Sequence, residues 1–362
     1  MPTLDLDSPA IRKLLHRKLA EILEEGSGER LERLEIPHIQ KRPYSSTAFL
    51  AAHTDRDTRR LVLKRVVRHP LNEGLVEEPD QALVEFNVLS QLYPEFLTIE
   101  RCSVPRPVAI LPEIEAFVME HVEGEILADK LNAIHYMANR KTFQRLKRDF
   151  HDCGRWVRHF QRFTGRSFSS SSVLENLVLR SDDRLRLIEE SSDRRCPANV
   201  RRNAAAFIRR QAERLDGVDI AVSGRHGDFG PWNTLSCQEG VTVFDFFGFR
   251  RDPLCVDALS VLVFLEAASL GIANSASRTQ ALQESFLDGL GPLPELPQPL
   301  LLLAEAQQRI LRLAAAVLSR EGHIATRVEH SRSIRANVRW FLAPAERSTF
   351  WPTVVPGGFT SS

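Results

Sequence analysis

Two short, largely apolar stretches, residues 46–52 and 60–67, lie on either side of a polar turn at positions 53–57. Short apolar runs around a polar turn are typical of a β-hairpin, so both stretches are predicted to be strands. A second hairpin is predicted from the apolar runs at 108–111 and 116–119. The first part of the chain is therefore expected to form a small antiparallel β-sheet.

Apolar residues recur at helical spacing in most other parts of the chain. The first such segment, residues 8–26, starts with Ser8 and Pro9 and is predicted to end at Gly26. A capping hydroxyl followed by proline at the first helical position favours a helix start, and glycine favours a helix end. Further helices are predicted at 81–92, 143–163, 200–215, 258–270, 279–290, 300–320 and 326–342, with a strand at 218–222.

The division between these patterns predicts an α+β protein with three parts. Residues 1–34 are expected to form a helix packed on the body, with partner binding as the alternative. Residues 35–122 are expected to form the sheet-rich N-terminal lobe, and residues 123–362 a larger, mainly helical C-terminal lobe, because helical patterns dominate after Gly124. The serine-rich segment 167–172 predicts a mobile loop.

Composition narrows the function classes. The formal net charge is +1 over 362 residues, and the basic helical segment at 143–163 has no nucleic-acid-binding motif, so no nucleic-acid partner is expected. No apolar run approaches membrane-spanning length, and the first seven residues predict no signal peptide. Five scattered cysteines, with no C-x-x-C pair, favour a reducing cytoplasm over a disulfide framework or a structural zinc site.

The stretch from Arg225 to Phe249 carries the clearest chemistry. Asp228 and Asn233 lie in a polar loop, and Asp245 follows the short apolar run at 242–244. Hard oxygen ligands of this kind suit Mg²⁺, which takes one or two protein carboxylates together with substrate phosphates. One of the two carboxylates is alternatively suited to accept a proton from a substrate hydroxyl.

Two charged residues in the N-terminal part complement that stretch. Lys64 lies in a predicted strand and Glu85 in the following predicted helix. An ion pair between them would hold the ammonium in place for a phosphate. Taken alone, each residue would be interpreted as a solvated surface residue.

Together these residues resemble the protein-kinase-like fold, and within it the aminoglycoside phosphotransferase and choline kinase group. The loop HGDFGPWN, from His226 to Asn233, is similar to the family's H-G-D-x-x-x-x-N motif. The strand end around Asp245 is similar to its metal-binding element. Asp252-Pro253, followed by Asp257, is similar to the element that opens its next helix. The resemblance covers about residues 45–270 and implies a two-lobed fold.

The resemblance implies a role for each matching residue. Asp228 would orient and deprotonate the acceptor hydroxyl, while Asn233 and Asp245 would hold Mg²⁺. Lys64, steadied by Glu85, would contact the nucleotide phosphates. Two further residues would support the loop structurally, namely His226 and Asp257.

The resemblance also implies a nucleotide site in the N-terminal lobe. The backbone of Glu120 and Val122 would meet the adenine edge, and the hydroxyl-rich turn at Ser45 and Ser46 would approach the phosphates. No G-x-G-x-x-G precedes Lys64, so the choice between ATP and GTP is left open. No A-P-E element follows Asp245, which argues against protein substrates.

The acceptor is the least defined part of the prediction. Residues 305–340 contain seven arginines and three glutamates, which disfavours a polycationic aminoglycoside. We expect a kinase that acts on a sugar, polyol, amino alcohol or related metabolite. An aminoglycoside phosphotransferase, a nucleotide-binding pseudokinase and a nucleotidyltransferase are the alternatives. The sequence leaves the oligomeric state open.

Overall fold

The computed structural model describes residues 8–42, 45–66, 81–137, 139–169, 171–191, 193, 195–269, 276–318, 324–343 and 350. Its helices are α1 (Pro9–Ser27), α2 (Gln81–Phe96), α3 (Leu127–Met137), α4 (Arg140–Phe163), α5 (Ser171–Glu190), α6 (Ala198–Glu213), α7 (Val256–Ser269), α8 (Ala276–Leu290), α9 (Gln298–Leu318) and α10 (Ile324–Leu342).

Its strands are β1 (Leu31–Arg42), β2 (Ser45–Thr54), β3 (Thr58–Val66), β4 (Cys102–Ser103), β5 (Pro107–Leu111), β6 (Ala116–Glu120), β7 (Glu125–Ile126), β8 (Ser167–Ser169), β9 (Ile220–Arg225), β10 (Thr234–Cys237), β11 (Gly240–Val243) and β12 (Arg250–Pro253). The chain divides into two compact units, one with residues 1–124 and 237–249 and the other with residues 125–236 and 250–362.

A five-stranded antiparallel sheet forms the centre of the first unit. Its strand order is β1-β2-β3-β6-β5, and each neighbouring pair runs antiparallel. Leu50, Leu61, Leu63 and Val118 point from this sheet into a buried core. The two predicted hairpins are confirmed, and strand β11 pairs in parallel with β4 elsewhere in the unit.

Helix α1 packs against the same core through Leu15, Leu19 and Leu23, which recur every four residues along one face. Its ends differ in detail from the sequence prediction. The Ser8 side chain makes no capping hydrogen bond, and only its carbonyl accepts the N–H of Arg12 at 3.0 Å. The helix ends at Gly28 rather than Gly26, because Gly28 takes the left-handed conformation that closes a helix.

The second unit is built around helix α9. Every residue from Leu300 to Ile310 is buried, because α9 packs against α5, α6, α7 and α10. Helix α4 buries the apolar face predicted from its helical spacing, including Phe150, Trp156 and Phe160. A small antiparallel sheet with the order β12-β9-β8 completes the unit and leads the chain from β9 into the loop that starts at His226.

Two predictions from the pattern were wrong or incomplete. Strand β1 was not predicted, because Pro37 and alternating charged residues weaken its strand pattern. The serine-rich segment forms strand β8 and the start of α5 instead of a loop, with Ser170 itself outside the described residues. Residues 67, 270, 319 and 320 of the predicted strand and helices also lie outside the described residues. Within the described part of the chain, no helix is long and apolar enough to cross a membrane.

Candidate active site

Lys64 and Glu85 form a buried ion pair in the first unit. Lys64 lies in β3, opposite Thr47 of β2 and Phe117 of β6. Its Nζ donates to both carboxylate oxygens of Glu85 on α2 at 2.7 Å. The pairing expected from the sequence is therefore present, and it lies where neither side chain has appreciable solvent contact.

Asp245 joins this pair from the segment after β11. Its Oδ1 accepts a hydrogen bond from Lys64 Nζ at 2.5 Å. The backbone at Asp245 is left-handed, with φ of 75°, which is costly for a residue with a Cβ. The next residue, Phe246, donates its N–H to Glu85 Oε1 at 2.9 Å, so Glu85 holds both the lysine and the backbone that follows Asp245.

The charges in this group are unequal, with one ammonium facing two carboxylates. Burial acts to lower the pKa of Lys64, but Asp245 and Glu85 outweigh it, and the net effect is a raised pKa. Burial raises the pKa of Glu85 to about 7, against the opposing effect of Lys64. The group therefore keeps Lys64 charged, and with both carboxylates ionised it carries one excess negative charge that a bound cation would neutralise.

Asp245 meets the requirements for a divalent metal ligand. Its Oδ2 has no hydrogen-bond partner among the described residues, and its side chain is 19% exposed. No described cluster of three His, Cys, Asp or Glu side chains would hold a metal without other ligands. A metal at Asp245 would therefore need oxygens from phosphate or water, which matches the coordination habit of Mg²⁺.

The second unit carries the His226–Asn233 loop. Gly227 has φ of 95°, so the turn between His226 and Asp228 requires glycine. His226 is fully buried, its N–H donates to Asp257 Oδ2 at 2.9 Å, and its Nδ1 accepts from the N–H of Asp228 at 3.4 Å. These contacts fix the backbone on both sides of the glycine.

Two N–H donors converge on the Asp228 carboxylate. Asn233 Nδ2 donates to Asp228 Oδ2 at 2.9 Å, and Trp232 Nε1 donates to the same oxygen at 3.1 Å. Asn233 Nδ2 also reaches the Asp228 carbonyl at 3.0 Å, so the amide nitrogen is committed to Asp228. Asn233 Oδ1 has no partner among the described residues, so this oxygen is available to coordinate a metal.

A buried charge cluster lies beneath this loop. Asp252 accepts from Arg180 and Arg225 at 2.7 Å and from Arg250 at 2.9 Å. Asp257 Oδ1 lies 3.6 Å from Arg225 Nε, and Asp257 Oδ2 accepts the N–H of His226 at the start of the loop. Burial raises the pKa of Asp257 to about 6, although Arg225 and the His226 N–H act to lower it.

One pair of residues beside Asp228 was missed by sequence reasoning. The Arg312 guanidinium on α9 lies 3.6 Å from the centroid of the Trp232 ring, a cation–π distance. Gly230 leaves room for this indole, since a Cβ there would lie 2.0 Å from the ring, and Phe264 packs edge-on at 5.3 Å. The two residues are 80 positions apart, so no local pattern connects them.

The remaining predicted residues lie in the first unit. Ser45 and Ser46 start β2, paired with Val66 and Arg65 of β3 and next to the register position of Lys64. Glu120 ends β6, and its N–H donates to the Arg106 carbonyl at 2.8 Å. Val122 follows two residues later as a partly buried, non-helical residue. The structure thus places these four residues at β2 and at the end of β6, the two strands that flank β3 in the sheet.

Comparison with known proteins identifies the family. Residues 42–296 match the model of the phosphotransferase enzyme family, which is well over half of the chain. The protein therefore belongs to this family, as the motif in the His226–Asn233 loop indicates. The search of curated proteins returned no match.

Solved structures show which fold the chain shares. A protein from Ralstonia eutropha JMP134 assigned to the aminoglycoside phosphotransferases has a TM-score of 0.57 at 14% identity and covers 90% of this chain and 97% of its own. A choline kinase from Streptococcus pneumoniae has a TM-score of 0.53 at 12% identity, with coverages of 91% and 99%. An amicoumacin kinase solved with AMP-PNP and Ca²⁺ has a TM-score of 0.56 at 13% identity, with coverages of 91% and 93%. The predicted protein-kinase-like fold is confirmed.

Proposed function

We propose that the protein transfers the γ-phosphate of ATP to a hydroxyl group of a small molecule, with Asp228 as the catalytic base. The observation that carries this proposal is the Asp228 carboxylate, which is held by N–H groups of Trp232 and Asn233 at 3.1 and 2.9 Å. Both donors converge on Oδ2, so the orientation of the carboxylate is fixed before a substrate binds. Phosphoryl transfer depends mainly on such positioning and on charge neutralisation.

The reaction follows from this arrangement. The acceptor oxygen forms a bond to the γ-phosphorus as the bond to the β,γ-bridging oxygen breaks, and ADP leaves with that electron pair. The acceptor proton passes to the Asp228 carboxylate. A general base of this kind typically accelerates a reaction by about 100- to 10,000-fold.

The first unit supplies the phosphate-binding groups. We assign Lys64 to the α- and β-phosphates, because its ammonium is kept charged and is held by Glu85 at 2.7 Å. We assign Asp245 and Asn233 as metal ligands, because each has a side-chain oxygen without a described protein partner. Bound Mg²⁺ would neutralise developing charge on the phosphate oxygens. Sequence position alone supports Ser45, Ser46, Glu120 and Val122 as further nucleotide contacts.

Several observations favour this function over its alternatives. A nucleotide-binding pseudokinase would not need Lys64, Glu85, Asp228, Asn233 and Asp245 together. Aminoglycoside phosphorylation is disfavoured because a cation, Arg312, lies 3.6 Å from the ring centroid of Trp232, which donates to Asp228. None of the five cysteines forms a disulfide, which fits a reducing cytoplasm where ATP is available.

The proposal is tested by an acceptor screen with ATP labelled in the γ-phosphate. The panel covers sugars, polyols, amino alcohols, hydroxy acids and aminoglycosides, with Mg²⁺ present or chelated. Mg²⁺-dependent formation of a labelled phosphate ester is expected for a hydroxyl compound. Nucleotide binding without transfer to any acceptor would favour a pseudokinase, and an AMP-labelled product would instead indicate nucleotidyl transfer.

A further inference from the structure

The Trp232 indole connects Asp228 to an arginine. Its Nε1–H reaches the Asp228 carboxylate at 3.1 Å, while the Arg312 guanidinium lies 3.6 Å from the ring centroid. Gly230 and Phe264 hold the ring in this position. A single rigid side chain thus fixes where Arg312 lies relative to the proposed catalytic base.

Arg312 differs from the arginine one turn before it on α9. Arg309 is neutralised by two carboxylates, Glu305 at 2.8 Å and Glu266 at 2.6 Å. No described carboxylate lies within ion-pair distance of Arg312, whose one described hydrogen bond goes to Ser260 Oγ at 3.4 Å. A guanidinium has five N–H donors, so most of its hydrogen-bonding capacity is unused.

The cation is nevertheless retained at neutral pH. Burial lowers the pKa of Arg312 to about 10, and Asp228 acts in the opposite direction. The side chain is partly buried and none of its nitrogens is among the fully enclosed, unpaired polar atoms. A partly desolvated guanidinium with unused donors is a strong receptor for a planar or tetrahedral anion.

We propose that Arg312 binds an anionic group of the acceptor, so that the phosphorylated hydroxyl belongs to a molecule that also carries a carboxylate or a phosphate. This inference rests on the proposed function, because it treats Asp228 as the group that meets the acceptor hydroxyl. Carboxylate and phosphate are the two oxyanions that a guanidinium fork binds with paired hydrogen bonds. Trp232 sets the spacing between this anion and the reacting hydroxyl.

A purely structural role for Arg312 makes a different prediction. If Arg312 only steadied Trp232, its loss would slow transfer to every acceptor by a similar factor. An anion-binding role instead lowers kcat/KM selectively for charged acceptors. The ratio of kcat/KM between an anionic acceptor and its neutral homologue therefore separates the two roles.

The experiment measures this ratio for glycerol, glycerate and glycerol phosphate, and for glucose and gluconate. The wild-type enzyme, Arg312→Gln, Arg312→Lys and the control Arg335→Gln are compared, the control arginine being exposed on α10. We expect the wild-type enzyme to have a higher kcat/KM for the anionic compounds of each set than for the neutral one. Arg312→Gln should reduce this ratio about 10- to 100-fold. Arg312→Lys should retain part of it, and Arg335→Gln all of it.

Three results would overturn the inference. The first is a wild-type preference for the neutral compound of a set, and the second is an equal fall in kcat/KM for neutral and anionic compounds in Arg312→Gln. The third is a loss of anion preference in Arg335→Gln as large as that in Arg312→Gln. Preference for glycerate over glycerol phosphate, or the reverse, identifies the anion. If no hydroxyl compound is phosphorylated, the proposed function fails. Calorimetric binding of glycerate and glycerol phosphate to wild type and Arg312→Gln then tests the anion site alone, and equal binding would refute it.

Discussion

Trp232 donates its indole N–H to Oδ2 of Asp228 at 3.1 Å, four residues away in the same loop. Asn233 donates to the same oxygen at 2.9 Å, so the side chain of Asp228 is oriented by two neighbours of its own loop. The spacing from Asp228 to Asn233 was recognisable in the sequence. The contribution of Trp232 was not, because an aromatic residue in a loop most often packs in a core.

Replacing Trp232 with phenylalanine tests that contribution. Phe keeps an aromatic ring for Arg312 but cannot donate to Asp228. A hydrogen bond to a charged group contributes about 1.5–3 kcal/mol, so kcat should fall about 10- to 100-fold while nucleotide affinity stays unchanged. Steady-state kinetics and nucleotide titration measure both quantities. Unchanged kcat would show that Trp232 does not orient Asp228.

Removing the charge of Lys64 should destabilise the first unit. Lys64→Met leaves the Glu85 and Asp245 carboxylates without their shared cation, and breaking one partner of a buried pair costs about 3–5 kcal/mol. The free energy of unfolding, from guanidinium titration, measures this loss. The double variant Lys64→Met/Glu85→Met should lose less than the two single variants combined. Strict additivity would show that the two side chains are not energetically coupled.

Asp245→Asn tests the assigned metal ligand. We expect Mg²⁺ to increase the affinity of wild-type protein for AMP-PNP and to have little effect on the variant, because a neutral amide is a weaker ligand than a carboxylate. Affinity without Mg²⁺ should be similar in both proteins or higher in the variant. Calorimetric titration of wild type and variant with AMP-PNP, once in Mg²⁺ and once in EDTA, gives the four dissociation constants needed for this comparison. A full Mg²⁺ effect in the variant would remove Asp245 from the metal site.

Asp257 predicts a pH dependence of stability. Its pKa is raised from 3.8 to about 6 by burial, with Asp252 adding to the rise and Arg225 and Arg250 opposing it. The folded state therefore holds a proton that the unfolded state has lost between about pH 4 and pH 6. The stability that this proton contributes is present below pH 4 and is lost as the pH rises through 6. At 1.36 kcal/mol for each pKa unit, the loss is about 3 kcal/mol.

Asp257→Asn should remove that dependence. Between pH 4.5 and pH 7, wild type should lose about 2 kcal/mol of unfolding free energy through Asp257, and the variant should not show this loss. The control Asp219→Asn changes an exposed carboxylate and should keep the wild-type profile. Parallel profiles for wild type and Asp257→Asn would mean that the buried carboxyl group titrates at its ordinary pKa.

The sequence predicted those parts of the molecule that local patterns encode. Both hairpins, helix α2 and most helices of the second unit follow from apolar spacing, and Lys64 and Glu85 lie as expected in consecutive elements. Strand β1 was missed because its charged residues and Pro37 match an edge position with irregular register rather than a regular strand. Helix α5 was missed because its serine-rich start resembles a loop.

Long-range contacts explain the rest. Asp245 was predicted as a metal ligand, but its contact with Lys64 spans 181 positions and depends on the fold. The arginine excess in residues 305–340 was visible in the sequence. Only packing distinguishes Arg309, which is neutralised by Glu305 and Glu266, from Arg312, which stacks on Trp232. Side-chain spacing along a helix does not reveal which of two arginines retains an unpaired charge.

The central claim is tested most directly by single-turnover transfer from γ-labelled ATP in wild type, Asp228→Asn and the control Asp219→Asn, with nucleotide affinity measured in parallel. If Asp228 is the catalytic base, Asp228→Asn should slow transfer about 100- to 10,000-fold and leave nucleotide affinity unchanged, while Asp219→Asn behaves as wild type. Near-normal transfer by Asp228→Asn would contradict the assignment.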